Sequence, residues 1–206
     1  PHASGNSMSI AAPATNPASD LTLTLPATTG TAGQVLKTDG SGNLSWYTIP
    51  TSFPTHLDTW LLTTDKNWSG GNYLNADFSR STVFGNIGDP MTKSSEVFTF
   101  PATGIWELHF TTMASDATEN AYSFAQIEST SNNGTAWAEL TESADAIPDD
   151  GSNTTYANPF CICTFDVTDV STHKVRFRTV NEQGAVINGH STRFHTGVIF
   201  KRIGDT

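Results

Sequence analysis

Glu96-Val-Phe-Thr-Phe100, Pro101-Ala-Thr-Gly104 and Ile105-Trp-Glu-Leu-His-Phe-Thr-Thr-Met113 run consecutively, and this stretch decides the fold. Two alternating runs flank a short Pro/Gly turn, which is the period-two pattern of a half-buried β-hairpin. On the second run Trp106, Leu108 and Phe110 share one face and Glu107 and His109 the other, because successive side chains of a strand point to opposite sides. The chain closes on a similar segment, Arg193-Phe-His-Thr-Gly-Val-Ile-Phe-Lys-Arg-Ile-Gly-Asp-Thr206. Working outward, strands are expected at residues 59–64, 122–129, 160–167, 174–180 and 192–203, with a short one at 137–140. A Gly/Asn-rich loop is expected at 67–73 and a long polar loop at 142–158. Short strands at turn-marked intervals describe a β-sandwich or jelly roll.

Composition supports sheet over helix. Only 15% of the residues are charged, against about a quarter in an average globular chain. The polar surface therefore falls to Thr, Ser, Asn and Gly. Thr, the commonest residue, is β-branched and suits a pleated, solvated surface. No long stretch carries the 3.6-residue apolar spacing of a helix, so the fold class is all-β.

Twenty acidic against 10 basic residues give a net charge of −10, which argues against nucleic acid as the main partner. Lys174, Arg176 and Arg178 alternate along one strand and read as a solvated face. No apolar run approaches the roughly 20 residues needed to span a bilayer, so no membrane insertion is expected. Cys161 and Cys163, the only cysteines, lie on one face of a strand about 6.5–7 Å apart. That is the outer limit of disulfide reach, with parallel rather than converging Cβ vectors. They read as two small buried apolar side chains. A metal pair is the sharper alternative, but no second Cys/His pair sits at ligand spacing. A chain without disulfides fits folding in a reducing cytoplasm.

Three segments follow. Residues 1–20, rich in Ala, Ser, Pro and Asn, form an extended N-terminal arm that is ordered only through partners. Residues 21–50 form a β-hairpin linker or attachment module centred on the turn Asp39-Gly-Ser-Gly42. About 30 residues with a few strands make a poor core alone, so Leu23, Leu25, Val35, Leu44 and Trp46 are candidates for an interior shared between subunits. Ile49-Pro-Thr-Ser-Phe-Pro54 punctuates the chain, and residues 56–206 form the head. The segments 160–167 and 192–203 are apolar on both faces. Such strands are expected at central positions, one face in the core and the other under a second covering layer.

The Phe-Thr-Phe-Pro-x-Thr-Gly-Ile-aromatic run and the final Val-Ile-Phe-Lys-Arg-Ile-Gly strand resemble the tumour necrosis factor and complement globular-head superfamily. The variant is similar to the C-terminal heads of marine phage (cyanophage-like) virion and tail-fibre proteins. The run Leu-Thr-Leu-Pro-x-x-x-Gly-Thr-x-Gly-Gln-Val-Leu-x-Thr-Asp-Gly-x-Gly-Asn-Leu-Ser-Trp resembles a linker module of virion proteins. These resemblances imply a homotrimeric jelly roll with a threefold axis, located in the virion and folded in the host cytoplasm. They also imply other virion proteins as partners of the N-terminal arm.

Catalysis finds no support. There is no Gly-x-Ser-x-Gly elbow, no His-Glu-x-x-His pair and no phosphate loop; His109 and His195 read as strand-face residues, with His190 just before the last strand. No cofactor is expected. Asp145, Asp149 and Asp150, with Glu142, crowd one loop and are weak cation candidates, since their spacing does not match a twelve-residue calcium loop. Trp68, Tyr73, Trp137 and Tyr156 lie in or beside polar loops, where aromatics can stack on sugars or anchor a protein partner. They are the candidate receptor contacts for a host surface glycan or protein. Trp106, Phe110, Phe160, Ile162, Phe194, Val198 and Phe200 are the candidate core and subunit-interface residues. The reading is a non-enzymatic trimeric tail fibre for host attachment. The alternatives are a capsid-decorating or head-fibre protein and, less favoured, a polysaccharide-degrading tailspike, which would need a long repetitive β-helix with paired carboxylates.

Overall fold

The computed structural model describes residues 14, 15, 17–49 and 54–206. The chain divides into two units, Pro1–Thr51 and Ser52–Thr206. The expected arm, residues 1–20, lies mostly outside the described residues. None of the described residues is helical, and no helix among them is long and apolar enough to cross a membrane.

In the first unit β1 (Gln34–Thr38) and β2 (Leu44–Thr48) form an antiparallel hairpin. The Asp39 carboxylate closes its turn, accepting from the Ser41 amide at 2.8 Å, the Asn43 amide at 3.1 Å and Asn43 Nδ2 at 2.7 Å. These bonds hold the Asp39 carboxyl below its ordinary pKa, the Asn43 side chain contributing most. Gly40 and Gly42 take φ of 81° and 94°, a region that favours glycine. Thr24 bridges Asn43 in parallel, flanked by bonds from Thr24 N to Gly42 O and from Leu44 N to Thr24 O, both 2.8 Å. Residues 21–25 thus line the open side of β2.

The head unit begins with β3 (Leu57–Leu62), β4 (Lys66–Tyr73), β5 (Phe78–Arg80), β6 (Asn86–Ile87), β7 (Thr92–Ser94) and β8 (Val97–Thr99). It continues with β9 (Gly104–Thr111), β10 (Ala114–Asp116), β11 (Asn120–Thr130), β12 (Ala138–Ile147) and β13 (Thr155–Ala157). The last three strands are β14 (Phe160–Val167), β15 (Lys174–Ile187) and β16 (Gly197–Gly204). One sheet runs β14-β9-β16-β3-β5, with β6 also on β3. The other is organised around the long β15, which carries β11 and β10 on one side and β4 and β8 on the other, with β12, β13 and β7 outermost.

The two sheets face each other across an aromatic core. Phe98, Phe177 and Phe200 meet with ring centroids 5.1–5.5 Å apart, and Phe110 lies 5.2 Å from Phe177. The alternation of β9 decides which side chains enter. Trp106, Leu108 and Phe110 are buried to 1% exposure or less, while Ile105, Glu107 and His109 turn outward and stay half-buried. Each fully buried Phe or Leu contributes roughly 1.5–3 kcal/mol. A buried carboxylate pins the edge of this core: Asp58 accepts from Trp60 Nε1 at 2.9 Å, Arg80 Nε at 3.0 Å and the Met91 amide at 3.0 Å.

Several expectations need correction. The 96–113 stretch is not a hairpin: β8 pairs with β7 and β15, whereas β9 pairs with β14 and β16. Its Pro/Gly turn carries the chain from one sheet to the other, because both alternating runs point their apolar faces into one core from opposite layers. The 67–73 loop is strand β4, paired along β15; Gly71 is there because the Arg178 guanidinium lies where a Cβ would stand. The 142–158 loop is shorter than expected, since β12 runs to Ile147 against β11. β14 is an edge strand rather than a central one. Its second apolar face carries no covering layer in the single chain, with Phe160 50% and Ile162 48% exposed. The last strand begins at Gly197, so Phe194 does not share a strand face with Val198 and Phe200. In the hairpin unit Val35 pairs with Tyr47, on the face away from Leu44 and Trp46.

Candidate functional site

The outer face of the β14-β9-β16-β3 sheet is built by cross-strand rows. Phe160 opposes Thr111; Ile162, His109, Ile199 and Thr59 form the next row; Thr164, Glu107, Lys201 and Leu57 form the third. Phe160 and Ile162 give this face an apolar end, and His109 packs edge-on against Phe160 at 5.9 Å. Glu107 sits among the polar groups, 2.8 Å from His109 Nε2 and 3.3 Å from Lys201 Nζ. The hydrogen bond from His109, followed by that from Lys201, holds the Glu107 carboxyl below its ordinary pKa.

A second apolar patch lies at the opposite edge of the same sheet, in the 81–87 connection beside β3. Val83 is 55% exposed, Phe84 48% and Ile87 37%. Phe84 packs at 6.2 Å against Phe194, which covers Gly197 of β16. Sequence reasoning missed this patch, because a short Ser/Thr/Gly-flanked loop carries no periodicity to single out its apolar residues.

The named core residues divide by face. Trp106, Phe110, Val198 and Phe200 lie inside the sandwich, Phe160 and Ile162 on its outer sheet face, and Phe194 in the loop before β16. Of the four loop aromatics, two come together. The Arg176 guanidinium stands 4.2 Å from the ring centre of Tyr73 and 4.2 Å from that of Trp137. Its Nε donates to Glu128 at 2.6 Å, and Tyr73 Oη donates to the same carboxylate at 3.2 Å. Desolvation, then the Glu128 charge, raises the Tyr73 phenol above its ordinary pKa. Trp68 lies on β4 and packs against the core, and Tyr156 lies on β13, 51% exposed.

Asp145, Asp149 and Asp150 hold their own backbone. They accept from the amides of Asn158 at 2.9 Å, Gly151 at 2.7 Å and Asn153 at 2.7 Å, respectively. Among the described residues no three His, Cys, Asp or Glu side chains group to hold a metal ion. Cys161 and Cys163 are free thiols on the core side of β14. Burial pushes their pKa values up to about 12 and about 11, which suppresses the thiolate needed for metal binding or nucleophilic attack. His190 and His195 meet edge to face, ring centroids 5.3 Å apart, in the connection leading to β16.

No protein-family model and no curated protein matches the sequence. Solved structures do match in fold. Murine APRIL at pH 5.0 superposes with a TM-score of 0.50 at 12% identity, over 71% of this chain and 98% of that one. The Eiger TNF of S. frugiperda gives 0.50 at 11% identity, over 73% and 93%. The head is a tumour necrosis factor-like jelly roll.

Proposed function

We propose that the chain is the subunit of a homotrimeric phage appendage that binds the host surface. The observation that supports trimerisation is the placing of two apolar patches on opposite edges of one sheet. A ring of identical subunits needs two different surfaces that fit each other, one leading and one trailing. Phe160 and Ile162 supply the first and Val83, Phe84 and Ile87 the second. A twofold dimer would need one self-complementary patch and would leave the other exposed. Exposed apolar patches on both edges are the mark of a subunit built for contact.

The resemblance of the head and hairpin to virion proteins directs this trimer to a particle, with the N-terminal arm as its attachment to other virion proteins. The residues offered to the host are then the exposed Tyr156 and the Tyr73–Arg176–Trp137 cluster, in which one guanidinium contacts both rings. The role is recognition rather than catalysis. Immunogold labelling of particles with antibody to this protein tests the reading. Label on tail appendages, together with blocked adsorption, is expected. Label on the capsid with unaltered adsorption would make it a decoration protein, and unlabelled particles would overturn the virion assignment.

A further inference from the structure

The hairpin unit is a single layer with one predominantly apolar face. In the register of β1 and β2, Leu36 faces Trp46 and Thr38 faces Leu44. The Thr24–Asn43 bridge sets the flanking segment beside them. Bridged residues point to the same side of a sheet and their neighbours to the other. Leu21, Leu23 and Leu25 therefore lie with Leu36, Leu44 and Trp46 on one face. The opposite face is mixed: it carries Val35 and Tyr47 together with Thr22, Thr24, Asn43, Ser45 and Lys37, whose ammonium lies 4.8 Å from the Tyr47 ring centre.

A sheet with one apolar face needs a second layer to cover it. Among the described residues of the unit the 28–30 turn covers Trp46, whose Nε1 donates to Thr28 O at 2.8 Å while its ring lies on Gly30. Leu21, Leu23 and Leu25 remain 73%, 63% and 63% exposed, and Leu36 45%. The face carries no charged side chain, so its complement is another uncharged apolar surface. Residues 50–53 alone separate Ile49 from the head at Pro54, a contour of under about 20 Å. Any assembly of three heads therefore holds three hairpins at millimolar-order local concentration. The surface with the right chemistry and by far the highest local concentration is the same face of another copy.

We infer that residues 20–49 form a second trimerisation element, a clasp in which three copies bury the Leu21, Leu23, Leu25 and Leu36 face against one another. This rests on the trimeric reading of the head and adds to it a separate contact with its own residues. It also accounts for a compact unit with only two five-residue strands, because the core it lacks is completed between chains.

Leu23→Cys in the full chain, treated with a short trismaleimide that can join three thiols, is the test. The unsubstituted chain is the control for its own thiols, Cys161 buried and Cys163 half-buried. Covalent trimers are expected, forming at least about tenfold faster than for Thr22→Cys on the opposite face. A chain that light scattering shows to be trimeric, but whose introduced thiol stays unlinked or links only in pairs, overturns the clasp and leaves the head trimer standing. A monomeric unsubstituted chain overturns both. Leu23→Asp combined with Leu25→Asp should raise the trimer dissociation midpoint while leaving the head melting transition in place. An unchanged midpoint would overturn the clasp and mean that something else, such as residues 1–13 or another virion protein, covers the face.

Discussion

Replacing Phe160 and Ile162 by alanine should dissociate the trimer without unfolding the head. In the single chain these side chains keep 50% and 48% of their surface. Full burial of such a side chain contributes roughly 1.5–3 kcal/mol, so covering the remaining half contributes about 1 kcal/mol each. Two residues in three copies give about 6 kcal/mol per trimer, or roughly four decades in the dissociation constant. For three chains joining into one, the midpoint concentration varies as the square root of that constant, so it rises by about a hundredfold. The fold should survive, because Cys161 and Val167 on the core side of β14 are untouched. Sedimentation equilibrium across a concentration series reads the midpoint, and far-ultraviolet circular dichroism reads the fold. An unchanged midpoint would show that this face is solvated in the assembly and would refute the reasoning.

Other consequences concern the core. Asp58→Asn should cost about 3–5 kcal/mol and lower Tm by roughly 10 °C, since Arg80 loses its buried partner; an unchanged calorimetric Tm would mean the pair is solvated. Phe200→Asp should abolish soluble protein, because a fully buried ring in contact with Phe98 and Phe177 is replaced by an unpaired carboxylate. A soluble variant with unchanged melting would contradict the packing. The Cys161 and Cys163 thiols ionise near 9 in the unfolded chain and at about 12 and about 11 in the folded one. Their raised folded pKa values mean that stability is lost as pH rises from about 9 toward 12. Alanine at both positions should flatten that alkaline decline in urea titrations, and an identical decline would show that the thiols are exposed.

The sequence disclosed strand character in the longer alternating runs, and it failed for short strands and where pairing or coverage mattered. The alternation of Ile105 to Phe110 placed Trp106, Leu108 and Phe110 on the buried side of β9, but alternation is local and cannot say which strand lies alongside. The tight 101–104 turn therefore looked like a hairpin when it is an arch between layers. β4 escaped notice because Gly71 makes room for Arg178 from the neighbouring strand, a reason visible only in three dimensions. β14 looked central because both its faces are apolar, whereas it is an edge with one face awaiting cover. Among the loop aromatics, Tyr73 on β4 and Trp137 in the loop before β12 are far apart in sequence and are brought together by Arg176 on β15. The 81–87 patch left no periodic trace at all.

The contact between the two edge patches is the centre of this account, and paired cysteines test it most directly. A chain carrying both Ile162→Cys and Phe84→Cys, treated with a short bifunctional thiol reagent, should close into covalent trimers, because each leading patch meets the trailing patch of the next copy. Chains with either cysteine alone should stay uncrosslinked. Covalent dimers from Ile162→Cys alone would mean that the patch pairs with itself about a twofold axis, which contradicts the ring.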